Sequence, residues 1–296
     1  MRPVSGSGVS TLGGVAARLP LKPGATPERA LEILNALLVE LRNLPGKSAA
    51  SANVWETFRR RQQDYMAWIN NAESQLGNFT DELRLDSLLH TRGYWAIREA
   101  HPQTIWPAHL IESEIRLQKA TLERVAEDLK RRIERATGAA GHIAVVDTHL
   151  LLPFLPPEQV DWKEVIGIEP VRLFLPITVV DELDELKYTG KDRVRGKARA
   201  ALTNLERAVG PGGSPGRVRE GVTIEVELAS SDDPRNPDAD RSIISVCVEL
   251  EQLAGKPNSV SLVTGDAGMR LRATHREVRV VAMPEKYLRE PDGGGE

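Results

Sequence analysis

Residues 138–150 read GAAGHIAVVDTHL, and within them the run Ile143-Ala-Val-Val146, closed by Asp147, decides the fold. Four apolar residues without polar alternation predict a strand buried on both faces, as in the middle of a parallel sheet. Downstream of this run, strand patterns alternate with helical ones. Val171–Ile177 predicts a second strand and a helix begins near Val179. Residues 192–209 predict another helix, residues 210–221 an exposed Gly/Pro-rich loop, and Val222–Leu228 an alternating strand. A helix over Pro237–Leu253 and strands over Val260–Thr264 and Val278–Ala282 complete the series. Such alternation predicts a three-layer α/β domain over 141–288 with a mainly parallel central sheet.

Upstream, residues 26–138 are written in helical periods and predict an all-α domain. Thr26-Pro27 is a cap followed by proline at the first helical position, with Leu31, Leu34, Leu37, Leu38 and Leu41 at helical spacing until Pro45-Gly46. Trp55, Phe58, Tyr65 and Ile69 mark a second helix ending near Gly77. Thr80 is read as the cap of a shorter one, and Pro102 breaks the chain. From about Pro107 to Ala136, Ile111, Ile115, Leu122, Val125, Leu129 and Ile133 form one stripe of a long amphipathic helix, suited to packing on its neighbours or on a second subunit. Residues 1–25, rich in Gly, Ser and Pro, are read as a disordered leader rather than a signal peptide, and residues 289–296 as a disordered tail.

Of the 296 residues, 41% are hydrophobic and 27% charged, the composition of an ordinary globular protein long enough for two domains. A net charge of −3 excludes a globally basic nucleic-acid binder, while leaving local patches open. Cys247 is the only cysteine, so neither an intramolecular disulfide nor a cysteine-based zinc cluster can form. No apolar stretch approaches a bilayer span, and the chain is read as cytoplasmic with no membrane partner.

Four carboxylates occupy positions where a buried-sheet fold would place apolar or turn residues. Asp147 and Asp266 follow strands, on the edge where open parallel sheets form their sites. Either alone is also an ordinary turn or cap acid. Thr178 and Asp181 resemble a capping box, which puts Glu182 one turn from Val179 and Leu186, on the apolar stripe. Asp240 shares a face with Ile243, Ile244 and Cys247, whereas Asp238 lies about 200° away and suits a first-turn acid or a supporting role. Carboxylates gathered out of bulk water repel one another and need a cation. Hard oxygen ligands point to Mg²⁺ or Mn²⁺, and that metal chemistry to phosphodiester cleavage. One metal or two stays open.

The segments VVDTH at Val145–His149, ITVVDELDELK at Ile177–Lys187, PDADRSIISVC at Pro237–Cys247 and LVTGDAGMRLRA at Leu262–Ala273 resemble the successive motifs of the PIN-domain ribonucleases. The resemblance covers about Gly141–Tyr287. It implies a Rossmann-like PIN fold and Mg²⁺- or Mn²⁺-dependent cleavage of single-stranded RNA, leaving 5′-phosphate and 3′-hydroxyl ends. Carried over by residue, it makes Asp147, Asp240 and Asp266 metal ligands, Glu182 a ligand or positioner of the attacking water, and Thr264 a supporting hydrogen-bond donor. His149 departs from the pattern, since the family often has Asn or Ser there. The helical first half departs from the compact stand-alone PIN toxins. Its expected roles are oligomerisation, binding of a protein partner or substrate selection.

Arg193, Arg195 and Lys197, with Lys187, Lys191 and Arg199, are candidates for an RNA-phosphate patch, as are Arg270 and Arg272; a solvated helix face is the plainer alternative. Trp55, Phe58, Tyr65 and Trp68 beside Arg59-Arg60-Arg61 could stack bases, but their spacing suits a core. Two other functions compete with an endoribonuclease. A non-catalytic PIN-fold RNA-binding or scaffold protein would bind RNA without turnover. A receiver-type phosphoryl-transfer domain would need an adjacent acid pair after its first strand and a lysine after a late one, and here Asp266 holds the late position.

Overall fold

In the computed structural model, which describes residues 18–44, 54–101, 109–210, 215–227 and 238–289, the leucine stripe becomes α1 (Pro27–Asn43) with Leu34, Leu37, Leu38 and Leu41 buried. It packs on α2 (Val54–Leu76), where Trp68 Nε1 donates to the Leu37 carbonyl at 3.1 Å. Phe58, Tyr65 and Trp68 are at most 5% exposed, so these rings are core and present no stacking platform. Two short helices follow, α3 (Glu82–Leu89) and α4 (Arg92–Arg98), then α5 (Leu110–Thr137). Thr80 is not the cap of α3: Asp81 accepts from Arg84 N–H, while the buried Thr80 hydroxyl donates to the Pro20 carbonyl at 2.8 Å. With Leu19 also buried, part of the stretch read as a leader is built into this helical unit. The α5 stripe carries an unforeseen acid, Glu114, buried and accepting from Tyr65, Thr91 and Gln118. The breaks expected at Pro45-Gly46 and Pro102 and the start near Pro107 lie outside the described residues, as do 1–17 and 290–296.

The chain divides between Ile133 and Glu134 into two units. The second contains β1 (His142–Val146), α6 (Thr148–Leu151), α7 (Trp162–Ile166), β2 (Val171–Pro176), α8 (Ile177–Thr189), α9 (Asp192–Ala208), β3 (Gly216–Arg219), β4 (Val222–Glu227), α10 (Ala239–Ala254), β5 (Val260–Thr264), α11 (Ala267–His275) and β6 (Val280–Ala282). The sheet order is β3-β4-β2-β1-β5-β6, and only β3 runs antiparallel, against β4. Every residue of β1, β2 and β5 is buried, which is why their sequences lack polar alternation. The chain leaves β1 for β2 on one side, while β5 is followed by β6 on the other. The β1/β5 boundary is therefore a topological switch point, with a crevice beyond the strand ends.

Three local expectations change. The stretch 210–221 contains β3, because Gly221 at φ +69° turns the chain into a short hairpin with β4. Helix α8 begins directly at Ile177 after Pro176, without a side-chain cap. No Thr178–Asp181 box forms, and Thr178 faces Ser242 of α10 instead. Asp238 is the cap of α10, accepting from Asp240 N–H; the Asn236-Pro237 start lies outside the described residues.

The last turn of α5 docks on the sheet through charge. Glu225, fully buried in β4, accepts from Arg172 Nη2 at 2.8 Å and from Arg135 Nε at 2.7 Å. Arg172 in turn donates to the carbonyls of Arg135 and Ala136, which a helix end leaves without partners. Both guanidiniums lie over the Phe174 ring.

Candidate catalytic site

Asp147 follows β1 and caps α6. Its Oδ1 accepts from Leu150 N–H at 2.9 Å, and its Oδ2 accepts from the Thr264 hydroxyl at 2.5 Å. Asp266, two residues beyond β5, caps α11 by accepting from Met269 N–H at 2.9 Å. Both acids are caps, as the plainer reading had it, but the parallel pairing of β1 with β5 also brings the two caps together. Thr264 joins them: its oxygen accepts from Asp266 N–H at 2.9 Å while its proton goes to Asp147. His149 stands between them, with Nδ1 3.9 Å from Asp147 Oδ2 and Nε2 3.9 Å from Asp266 Oδ2.

Glu182 reaches the same edge from α8, where its Oε2 accepts from the Thr148 hydroxyl at 2.6 Å. Sequence reasoning passed over Thr148, although its place directly after Asp147 in VVDTH was the available signal. Asp240, in the first turn of α10, pairs with Arg272 of α11, which also acts electrostatically on Asp266. The four acids thus fall into three linked groups, Glu182–Thr148, Asp147–Thr264–Asp266 and Arg272–Asp240, with the Arg272 guanidinium acting on both Asp240 and Asp266. Among the described residues no three His, Cys, Asp or Glu side chains stand close enough together to hold a metal ion.

The electrostatics are uneven. Asp147 is 1% exposed, and burial raises its pKa from 3.8 to about 6 despite the Thr264 bond, His149 and the Leu150 amide, with Asp266 adding to the rise. Asp266 is held below its ordinary value, chiefly by the Met269 amide and with help from His149 and Arg272. A buried carboxylate bonded to the Thr264 hydroxyl and the Leu150 amide, with the Asp266 carboxylate acting on it, offers hard-oxygen ligands of the kind that Mg²⁺ or Mn²⁺ takes. Removing the hydroxyl that orients Glu182 tests its role. Thr148→Val is expected to lower kcat about tenfold or more for any reaction that uses Glu182, with an unchanged melting temperature.

The basic candidates divide. Arg195 pairs with Asp192 in its own helix, as a solvated face would. Arg193 is exposed and Lys197 half-buried on the same helix. Arg270 donates to the Gly265 carbonyl at 3.0 Å, which holds it over the loop carrying Asp266. Cys247 is fully buried, and burial raises its thiol pKa, so it is core. No described helix is long and apolar enough to cross a membrane.

Residues 144–283 match the family described as PIN domain, so the C-terminal half of the chain is a PIN domain. PIN domains are a nuclease-type family, typically dependent on a divalent metal. No curated protein matches the chain.

Proposed function

We propose that this chain, whose C-terminal half is a PIN domain, is a Mg²⁺- or Mn²⁺-dependent endoribonuclease acting on single-stranded RNA. The observation that carries the reading is Asp147: a carboxylate 1% exposed, bonded to neutral donors, at the switch-point crevice beside Asp266. Such a group is costly to ionise unless a cation joins it. Asp147, Asp266 and Asp240 would hold the ion, the last after Arg272 releases it. The bound ion would supply Lewis-acid neutralisation of charge at the phosphodiester.

The chain's own groups account for the remaining steps. Glu182, fixed at Oε2 by Thr148, has Oε1 to orient a water and accept its proton as that water attacks phosphorus. Thr264 ties Asp147 to the backbone of Asp266 and so fixes the spacing of two ligands. Arg272, once displaced from Asp240, is placed to pair with an RNA phosphate, beside Arg270. The bond from phosphorus to the 3′-oxygen breaks and that oxygen takes a proton from solvent water, leaving a 5′-phosphate and a 3′-hydroxyl.

Purified protein is expected to cleave unstructured RNA in Mn²⁺ or Mg²⁺ and to stop in EDTA. Failure to cleave in either metal counts against the reading. The Arg272–Asp240 pair favours one alternative, a PIN fold that binds RNA without turnover; a gel shift without metal-dependent products would support it. A pH test is independent of RNA. Protons and metal compete for Asp147, so the Mn²⁺ dissociation constant measured by calorimetry should be flat above about pH 7. Below pH 6, where Asp147 takes up its proton, it should rise about tenfold per unit.

A further inference from the structure

Beside the catalytic acids an open cleft of about 530 Å³ lies between the loop after α6, the end of β5 and the segment after β6. Its walls are apolar: Phe154, Met283, Pro284 and Leu288. Two of its lining residues also belong to the catalytic edge. His149 faces both Asp147 and Asp266, and Gly265 separates Thr264 from Asp266. Gly265 is required here for space, since a Cβ at that position would stand 2.7 Å from Phe154 Cε2. Lacking one, the backbone next to Asp266 lies directly against an aromatic ring. Besides His149 on the catalytic side, the polar side chains are Arg270, bonded to the Gly265 carbonyl, and the exposed carboxylate of Glu285.

From this arrangement we infer that the cleft is a subsite for one nucleobase of the RNA strand, adjacent to the bond that is cut, and that it favours a base carrying an exocyclic amino group. The inference rests on the nuclease reading and adds to it a position-specific preference. Single-stranded RNA is recognised by bases turned out of the stack into apolar pockets, with a few polar groups reading their edges. A cleft with apolar walls that is continuous with the catalytic edge fits a base better than a phosphate, and Arg270 at its rim suits the phosphate that links that base to the cut. Glu285, an acceptor without donors when ionised, can take hydrogen bonds from the amino group of cytosine, adenine or guanine, whereas uracil offers no amino group.

The test uses the full chain and a short single-stranded RNA with each position flanking the cut made abasic in turn. One position should raise KM about tenfold when its base is removed, with kcat nearly unchanged. At that position cytosine should be preferred over uracil, and Glu285→Gln should weaken that preference. Ala282→Phe, at an exposed position of edge strand β6 that lines the cleft, should fill it and remove the abasic penalty. Leu288→Ala, which only shortens an exposed wall, should reduce the penalty without endangering the fold. Efficient cleavage with no abasic penalty at any flanking position would overturn the subsite and leave the nuclease reading standing. Absence of metal-dependent cleavage on every strand would instead overturn the nuclease reading and the subsite with it.

Discussion

Replacing Asp147 by asparagine is expected to abolish RNA cleavage without unfolding the protein. Loss of a carboxylate that holds the ion removes several kcal/mol of charge stabilisation in the transition state, a fall of about 1,000-fold or more. The same substitution should raise stability in the absence of metal. The folded protein holds the pKa of Asp147 at about 6, above the ordinary 3.8, so the folded state binds a proton more tightly than the unfolded chain. Stability is therefore lost as pH rises from about 4 to about 6, reaching a deficit of at most about 3 kcal/mol above that window. Asparagine carries no charge and does not incur it. In EDTA at pH 8 the variant should melt above the parent, and the gap should close below about pH 4. An inactive variant that melts lower at pH 8 would mean that Asp147 serves the fold and not an ion.

The second large effect lies in the sheet. Glu225→Ala should destabilise the PIN half by about 3–5 kcal/mol, read as a lowered urea midpoint. The change leaves Arg172, itself 4% exposed, with its positive charge uncompensated, and removes the acceptor at Arg135 Nε. Both guanidiniums keep their backbone acceptors, so the loss is that of the carboxylate itself. A midpoint shift equivalent to less than about 1 kcal/mol would show that water enters and solvates the arginines, as at a surface pair.

Features written in local patterns were legible in the sequence. The buried strands have continuous apolar runs and the helices have stripes; Asp147 and Asp266 stand just beyond strands, Asp240 in the first turn of a helix and Glu182 on a helix stripe, where each can be read without knowing the pairing. The parallel-sheet rule puts Asp147 and Asp266 on one edge of the sheet, while the β1/β5 pairing that makes them neighbours is seen only in the fold. Legibility fails where the partner is distant and the signal non-periodic. Nothing near Glu225 announces Arg135, ninety residues earlier, and nothing in the α5 stripe announces that Glu114 will be satisfied by Tyr65 and Thr91. Thr178 and Asp181 have the right spacing for a cap, but β2 runs through Pro176 into α8 and leaves no capping turn. Arg272 follows the last acid as a phosphate-binding candidate would, yet it is bound to Asp240, an ion pair that depends on how α10 and α11 meet.

The most direct measurement is the anomalous difference map of a crystal soaked in Mn²⁺ at about pH 7.5. A peak within coordination distance of the Asp147 and Asp266 carboxylates, with Arg272 withdrawn from Asp240, is the result expected. A crystal in which that crevice stays without a peak at millimolar Mn²⁺, with Arg272 still on Asp240, would contradict it.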